Sequence, residues 1–255
     1  MPGRLSAMPL IETEAIVLRT HRLGEADKIA SLLTRRLGRV RAVAKGAFSR
    51  RGRYGAALEP LSYIRLWIYD RENRDLQRVG SAEILESFFE MQKDYRVQLA
   101  AQYLAEVTER FLPDREVNER VFRLLLVVLR AFKRFGEVNR PLLFFDYWLL
   151  RLGGFLPDLS RCMACQRPFG GEGGFYDPVA VALVCSRCRS GASVEPISSN
   201  ALGLISAFRT SRIEQWLAKE EPAPGTRELR RLLEQVIEAH LERKLTTRAL
   251  LAEEI

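Results

Sequence analysis

Four cysteines and one run of cations are the parts of this chain whose types and spacing could do chemistry. The cysteines read Cys162-Met-Ala-Cys165 and Cys185-Ser-Arg-Cys188, with nineteen residues between the two pairs. A C-x2-C-x19-C-x2-C pattern falls within the spacing of structural zinc sites, because each CxxC turn delivers two thiolates to one tetrahedral centre. Four sulfur ligands leave no open coordination position, so one Zn2+ held there would stabilise the fold rather than activate water. A redox dithiol pair and inert thiols are the other readings of the same residues. The glycine-rich stretch at residues 170–174 has little means of folding unaided, and a bound zinc contributes on the order of 10 kcal/mol locally.

The cations lie in residues 28–53, KIASLLTRRLGRVRAVAKGAFSRRGR. Nine are basic (Lys28, Arg35, Arg36, Arg39, Arg41, Lys45, Arg50, Arg51, Arg53) and none is acidic. Residues 1–80 carry 16 Lys and Arg against 8 Asp and Glu, and residues 81–255 carry 24 against 24, so the net charge of +8 sits in the first third. A potential this localised attracts a polyanion, and nucleic acid adds a demand for aromatic faces on which bases stack. Phe48 and Tyr54 lie among the arginines and are the candidate stacking faces. Tyr63, Trp67 and Tyr69 lie near by, and for Tyr63 and Trp67 a core role is the better reading.

The elements that position these residues follow from periodicity. Residues 10–20, 28–34, 39–45, 61–69 and 76–81 read as five short strands, with a turn at Arg35-Arg36-Leu37-Gly38 where the glycine supplies positive φ. On the third strand Arg39, Arg41, Val43 and Lys45 alternate with Val40, Ala42 and Ala44, which puts cations on one face and small apolar side chains beneath. Five such strands predict a small closed barrel, since an open sheet would leave bare edges. From residue 83 the period is helical: residues 92–112, residues 117–135 as a central buried helix, and a helix capped at Asn139 that stops at Gly153-Gly154. After the cysteines, Ser198 or Ser199 opens a helix, and Thr226 caps another with Leu229, Leu232, Leu233, Val236, Ile237, His240 and Leu241 on one face. The expected organisation is a tail at 1–9, a barrel at 10–82 and an α-helical domain at 83–255 with a zinc finger at 158–192.

Catalytic arrangements are scarce. Two histidines, His21 and His240, are too few for a histidine-based triad or a catalytic zinc site, and no P-loop sequence is present. A nuclease is disfavoured because the basic third lacks clustered acids. The expectation is a non-enzymatic binding protein, with an RNA-binding barrel and zinc-ribbon protein of translation or ribosome assembly as the alternative. No apolar run approaches membrane-spanning length and no secretory h-region precedes the first strand, so a cytoplasmic location is expected.

The stretches EAIVLRTHRLGEADKIASLLTRRLGRVRAVAKGA (residues 14–47) and GAALEPLSYIRL (residues 55–66), with a four-cysteine site inside a helical domain, resemble the RecO family of bacterial DNA repair proteins. Residues 34–47, TRRLGRVRAVAKGA, carry the most specific part. The resemblance implies an N-terminal oligonucleotide-binding (OB) barrel and a helical domain with an inserted zinc finger. It also implies binding of single- and double-stranded DNA and annealing of complementary strands. With RecR, members replace single-strand-binding protein by RecA, in functional association with RecF, and such a protein works at the nucleoid. Two places depart from the family pattern: Phe48-Ser49 stands where relatives continue with basic residues, and VAVALVC precedes the third ligand where a Gly-Gly pair is common.

Overall fold

The computed structural model describes residues 9–49, 54–70, 74–190, 193–218 and 224–254. Five strands close into a barrel: β1 (Leu10–Leu23), β2 (Asp27–Thr34), β3 (Gly38–Ala44), β4 (Tyr63–Tyr69) and β5 (Leu76–Glu86). Their order around the barrel is β1-β2-β3-β5-β4, with β4 returning to β1. Every pairing is antiparallel except β3 with β5, which is parallel, and this is the arrangement of an OB-type barrel. Closure satisfies both edges of every strand.

The alternation read on β3 is present. Val40, Ala42 and Ala44 enter the barrel core with Ala15, Val17, Leu32, Leu66 and Ile68, while Arg41 and Lys45 face solvent. The second face of β1 is more apolar than a solvent face should be, and Ile16 and Leu18 are indeed buried, because helix α1 (Tyr95–Phe111) packs on that strand. Strand β5 runs past the expected end at residue 81, since its pairing with β4 continues to Tyr63–Glu86. The helical period therefore begins at α1, which Asp94 caps by accepting from the Arg96 amide.

Gly38 has φ of 67°, and a Cβ built on it would lie 2.2 Å from the Glu116 carbonyl oxygen. The loop after α1 rests on this corner, with the Arg115 amide donating to the Arg39 carbonyl at 2.9 Å. Gly38→Ala meets both the positive φ and the contact, so the expected loss is about 3 kcal/mol in a urea unfolding titration. A loss under about 1 kcal/mol would show that the corner relaxes freely.

Two compact units divide the chain, Met1–Leu126 and Val127–Ile255. The cut falls within helix α2 (Glu119–Phe135), so α1 and the first turns of α2 group with the barrel. Arg120, Arg123, Arg130 and Arg134 lie on its exposed stripe, and Phe122, Leu125, Val128, Leu129 and Phe132 on its buried one. In the second unit α3 (Asn139–Gly153) ends at Gly154 in the left-handed conformation. Its N-cap is Val138; Asn139, expected as the cap, instead accepts from Arg230 at 2.7 Å. A three-stranded sheet follows, β6 (Gly174–Asp177) between β7 (Ala182–Val184) and β8 (Glu195–Ile197). Four helices complete the unit: α4 (Ser199–Thr210), α5 (Ile213–Leu217), α6 (Thr226–Leu241) and α7 (Thr246–Glu254). Ser198 caps α4, accepting from the Ala201 amide at 3.2 Å, while its own amide and hydroxyl donate to Glu228.

Candidate nucleic-acid interface and metal centre

The cations of the first unit divide into two sets. Arg41 on β3 and Lys45 directly after the strand are exposed, and their charge is available to a ligand. Arg35 and Arg39 are not. Arg35 bridges Glu14 at 2.5 Å and Glu119 at 2.9 Å. Arg39 pairs with Asp114 at 2.9 Å and donates through Nε to the Leu112 carbonyl at 3.0 Å. Hydrogen bonds from Arg35 and Arg123 hold the Glu119 carboxyl below the usual range. The run's lack of acids thus does not leave it unneutralised: the partners come from β1, from the loop after α1 and from the first residue of the next helix, Glu119. Arg36 is exposed and donates to the Glu12 carbonyl at 3.1 Å. Arg50, Arg51 and Arg53 lie outside the described residues.

The two candidate stacking faces also separate. Tyr54 is 5% exposed, sits in the barrel core with Ala57 and Leu58, and donates its hydroxyl to the Val79 carbonyl at 3.3 Å. With its ring buried it is not placed to stack on a base, and that expectation is corrected: the ring is part of the barrel's apolar core. Phe48 is 48% exposed and held in place by its amide, which donates to the Ala26 carbonyl at 2.9 Å. The Lys28 ammonium lies 4.9 Å and the Arg22 guanidinium 5.4 Å from its ring centre. Tyr63 is structural, donating to Glu14 at 2.8 Å and meeting Phe122 edge-on.

A cleft of about 650 Å³ opens along the parallel seam of the barrel, its lining including Lys45 just after β3, Tyr69, Arg74 and Asp75 just before β5, and Arg78 on β5. The Arg78 guanidinium lies 5.7 Å over the Tyr69 ring. Leu23 and Asp27 from the β1–β2 turn line the same cleft, and Asp27 is occupied in accepting from the Gly46 amide at 2.8 Å. In OB-type barrels the β2–β3 face and the loops after β1 and β4 take oligonucleotides. Reasoning from the basic run alone misses Arg22, Arg74 and Arg78. The parallel β3–β5 pairing is the signal that brings residues 74–78 beside 41–45, and it is set by barrel closure rather than by local pattern.

The four cysteines come together in the second unit. Their Sγ atoms lie within 4.8 Å of one another, and Cys165 and Cys185 are 3.8 Å apart. A tetrahedral centre with metal–sulfur distances of about 2.3 Å has sulfur–sulfur edges of about 3.8 Å. Each CxxC is a tight turn closed by backbone hydrogen bonds: Gln166 to the Cys162 carbonyl at 2.8 Å, and Cys188 to the Cys185 carbonyl at 3.0 Å. The Cys185 amide also donates to the Cys162 sulfur at 3.3 Å. Burial pushes the Cys162 thiol up, but the amides of Cys165, Cys185 and Ala164 outweigh it and bring it down to about 6. Hydrogen bonding to Cys165 and Cys185 pushes Cys188 up to about 12. Four thiolates this close repel, and a divalent cation at their centre is what lets all four lose their protons. The donor set fits a closed metal site.

A closed OB-type barrel with exposed cations beside its β3–β5 seam, joined to a helical unit that carries a four-cysteine cluster able to hold a metal ion, defines a two-part architecture. Residues 8–88 match the family described as Recombination protein O N terminal, and residues 92–249 match Recombination protein O C terminal. The chain is 41% identical over 239 residues to the DNA repair protein RecO of Koribacter versatilis, covering 93% of this chain and 96% of that one. It is 36% identical to the RecO of Streptomyces avermitilis, covering 93% and 97%, and 35% identical to that of a Nocardioides species, covering 94% and 98%. The chain belongs to the recombination protein O (RecO) family of DNA repair and recombination proteins. Among the described residues no helix is long and apolar enough to cross a membrane.

Proposed function

We propose that this protein is a DNA-binding recombination mediator that works by holding strands rather than by catalysis. Single-stranded DNA runs along β3 and into the cleft at the β3–β5 seam. Arg22, Arg41, Lys45, Arg74 and Arg78 take phosphates, and Phe48 takes a base on its open face. The observation that carries this reading is the strand on which Arg41 points outward, with Lys45 exposed just beyond its end, while Val40, Ala42 and Ala44 fill the core, beside a cleft with two further arginines. Phosphate contact gives affinity without sequence preference, and stacking favours an unpaired strand over a duplex. Neutralising two strands at once lowers their repulsion, so complementary strands anneal without ATP. The same surface serves double-stranded DNA through its phosphates. In this reading the protein acts with RecR to exchange single-strand-binding protein for RecA, in association with RecF, at the nucleoid.

One Zn2+ is held by Cys162, Cys165, Cys185 and Cys188. Bound there it supplies a cross-link between two turns, and the saturated sulfur shell gives it no substrate position. Phe48→Ala tests the stacking assignment. Affinity for a fluorescent oligo(dT), read by anisotropy, is expected to fall about tenfold, as one lost base–aromatic stack costs roughly 1–3 kcal/mol. Unchanged affinity would remove Phe48 from the interface.

A further inference from the structure

We propose that the four-cysteine cluster is also an oxidative modification site: a hydroperoxide converts Cys165 and Cys185 to a disulfide, which expels the metal and leaves the two turns joined by a covalent bond. The inference rests on the zinc reading for what is released, and on thiol geometry alone for which bond forms.

The four sulfurs are not equivalent. Cys162 is fully buried, Cys185 and Cys188 are half-buried, and Cys165 is exposed. The Cys162 sulfur is further occupied by the Cys185 amide at 3.3 Å. A soluble peroxide therefore reaches Cys165 first, because oxidation of thiolates follows access. The Cys165 thiolate attacks the peroxide, its sulfur gaining oxygen and hydroxide leaving, to give a sulfenic acid. The Cys185 thiolate, 3.8 Å away, then displaces hydroxide from that sulfur. Two thiolates and one hydrogen peroxide give one disulfide and two hydroxide ions. Two electrons pass from sulfur to peroxide, and Zn2+ departs with only Cys162 and Cys188 left as ligands.

The choice of pair decides the consequence. A bond within one CxxC turn would leave the two turns unconnected once zinc is gone. A bond between Cys165 and Cys185 spans the same two turns that the metal spans, and the chain already holds them together: Met163 donates to the Leu183 carbonyl at 2.8 Å, directly before the second turn. The oxidised lobe keeps its strands β6 and β7 while losing its metal. The site is thus a store of zinc that peroxide opens and thiol reductant closes, without unfolding the element that carries it.

The test treats the zinc-loaded full chain with hydrogen peroxide and follows released zinc with a chromogenic chelator. A non-reducing peptide map and a far-ultraviolet circular dichroism spectrum complete it. One zinc per chain is expected to appear, with a Cys165–Cys185 cross-linked peptide 2 Da lighter than the sum of its reduced parts. Dithiothreitol with added zinc is expected to reverse both changes, and the oxidised protein to keep the spectrum that reduced, chelator-stripped protein loses. The peptide map is made on the unaltered chain, since replacing Cys165 would remove a zinc ligand together with the reacting thiol. A Cys162–Cys165 or Cys185–Cys188 bond, or Cys165 over-oxidised to sulfinic acid without a cross-link, would overturn the inference. A chain purified without zinc would overturn the zinc reading instead, and the map would still judge the pairing.

Discussion

Reversing two charges on β3, Arg41→Glu with Lys45→Glu, is expected to weaken single-stranded DNA binding on the order of 100-fold at about 0.1 M salt while leaving the unfolding transition in place. Arg41 points into solvent from a strand whose other face is core, and Lys45 is exposed in the turn that follows, so neither reversal touches packing. Surface substitutions of this kind shift stability by about 0.5 kcal/mol or less. The binding cost is larger because each glutamate both removes a phosphate partner and repels the phosphate that remains. Arg39, two residues before Arg41 on the same face, is unsuitable for this test. Its guanidinium serves Asp114 and the Leu112 carbonyl, and Arg39→Glu would set two carboxylates against each other at the corner where the α1–α2 loop docks. A loss of DNA binding in that variant would report the corner as much as the interface. Equal affinity of the Arg41/Lys45 variant and the parent, by anisotropy on the same oligonucleotide, would take β3 out of the DNA surface.

Cys162→Ser is expected to abolish stable zinc binding. Cys162 is the buried ligand, and it ties the two turns together through the Cys185 amide even before a metal is considered. Apparent binding free energies for four-ligand structural zinc are about 10–16 kcal/mol, and they are folding energy for the segment that holds the metal. With three sulfurs left, zinc content measured after dialysis against a chelator is expected to fall from one per chain to near zero. Protease sites are expected to open between residues 158 and 190. Single-stranded DNA affinity is expected to stay within about threefold, because the cleft residues belong to the first unit and the cysteines to the second. Full retention of zinc by the variant would show that Cys162 is not a ligand.

How much of this was legible in the sequence differs from residue to residue for physical reasons. Arg41 and Lys45 were readable because a strand's side chains alternate with a period of two, which local sequence displays directly. Gly38 was readable as a turn residue, but its second role was not, since the Glu116 carbonyl that it admits is distant in sequence. The same distance hid the acids that neutralise Arg35 and Arg39. Glu119 and Asp114 lie more than seventy residues beyond the arginines they meet, and an acid-free stretch says nothing about what folds onto it. Tyr54 misled because its neighbours are loop-like and basic, while its ring fills a core of small side chains that composition does not reveal. The cysteine cluster was legible from spacing alone, since two turns of fixed geometry need only be brought together. Helices α5 and α7, with 5 and 9 residues, are too short for a helical period to declare itself.

The central claim is that the barrel seam holds single-stranded DNA mainly through phosphates. It is tested most directly by measuring the oligo(dT) dissociation constant of the full chain from low to physiological salt, beside the Arg41/Lys45 reversal. Each phosphate contact to a single strand contributes about −0.7 to the slope of log affinity against log salt, so five contacts give a slope near −3.5 for the parent. Loss of two contacts is expected to make the slope shallower by about 1.4 in the variant. A nearly flat dependence for the parent, or the same slope in both proteins, would contradict the placement of DNA on β3 and its cleft.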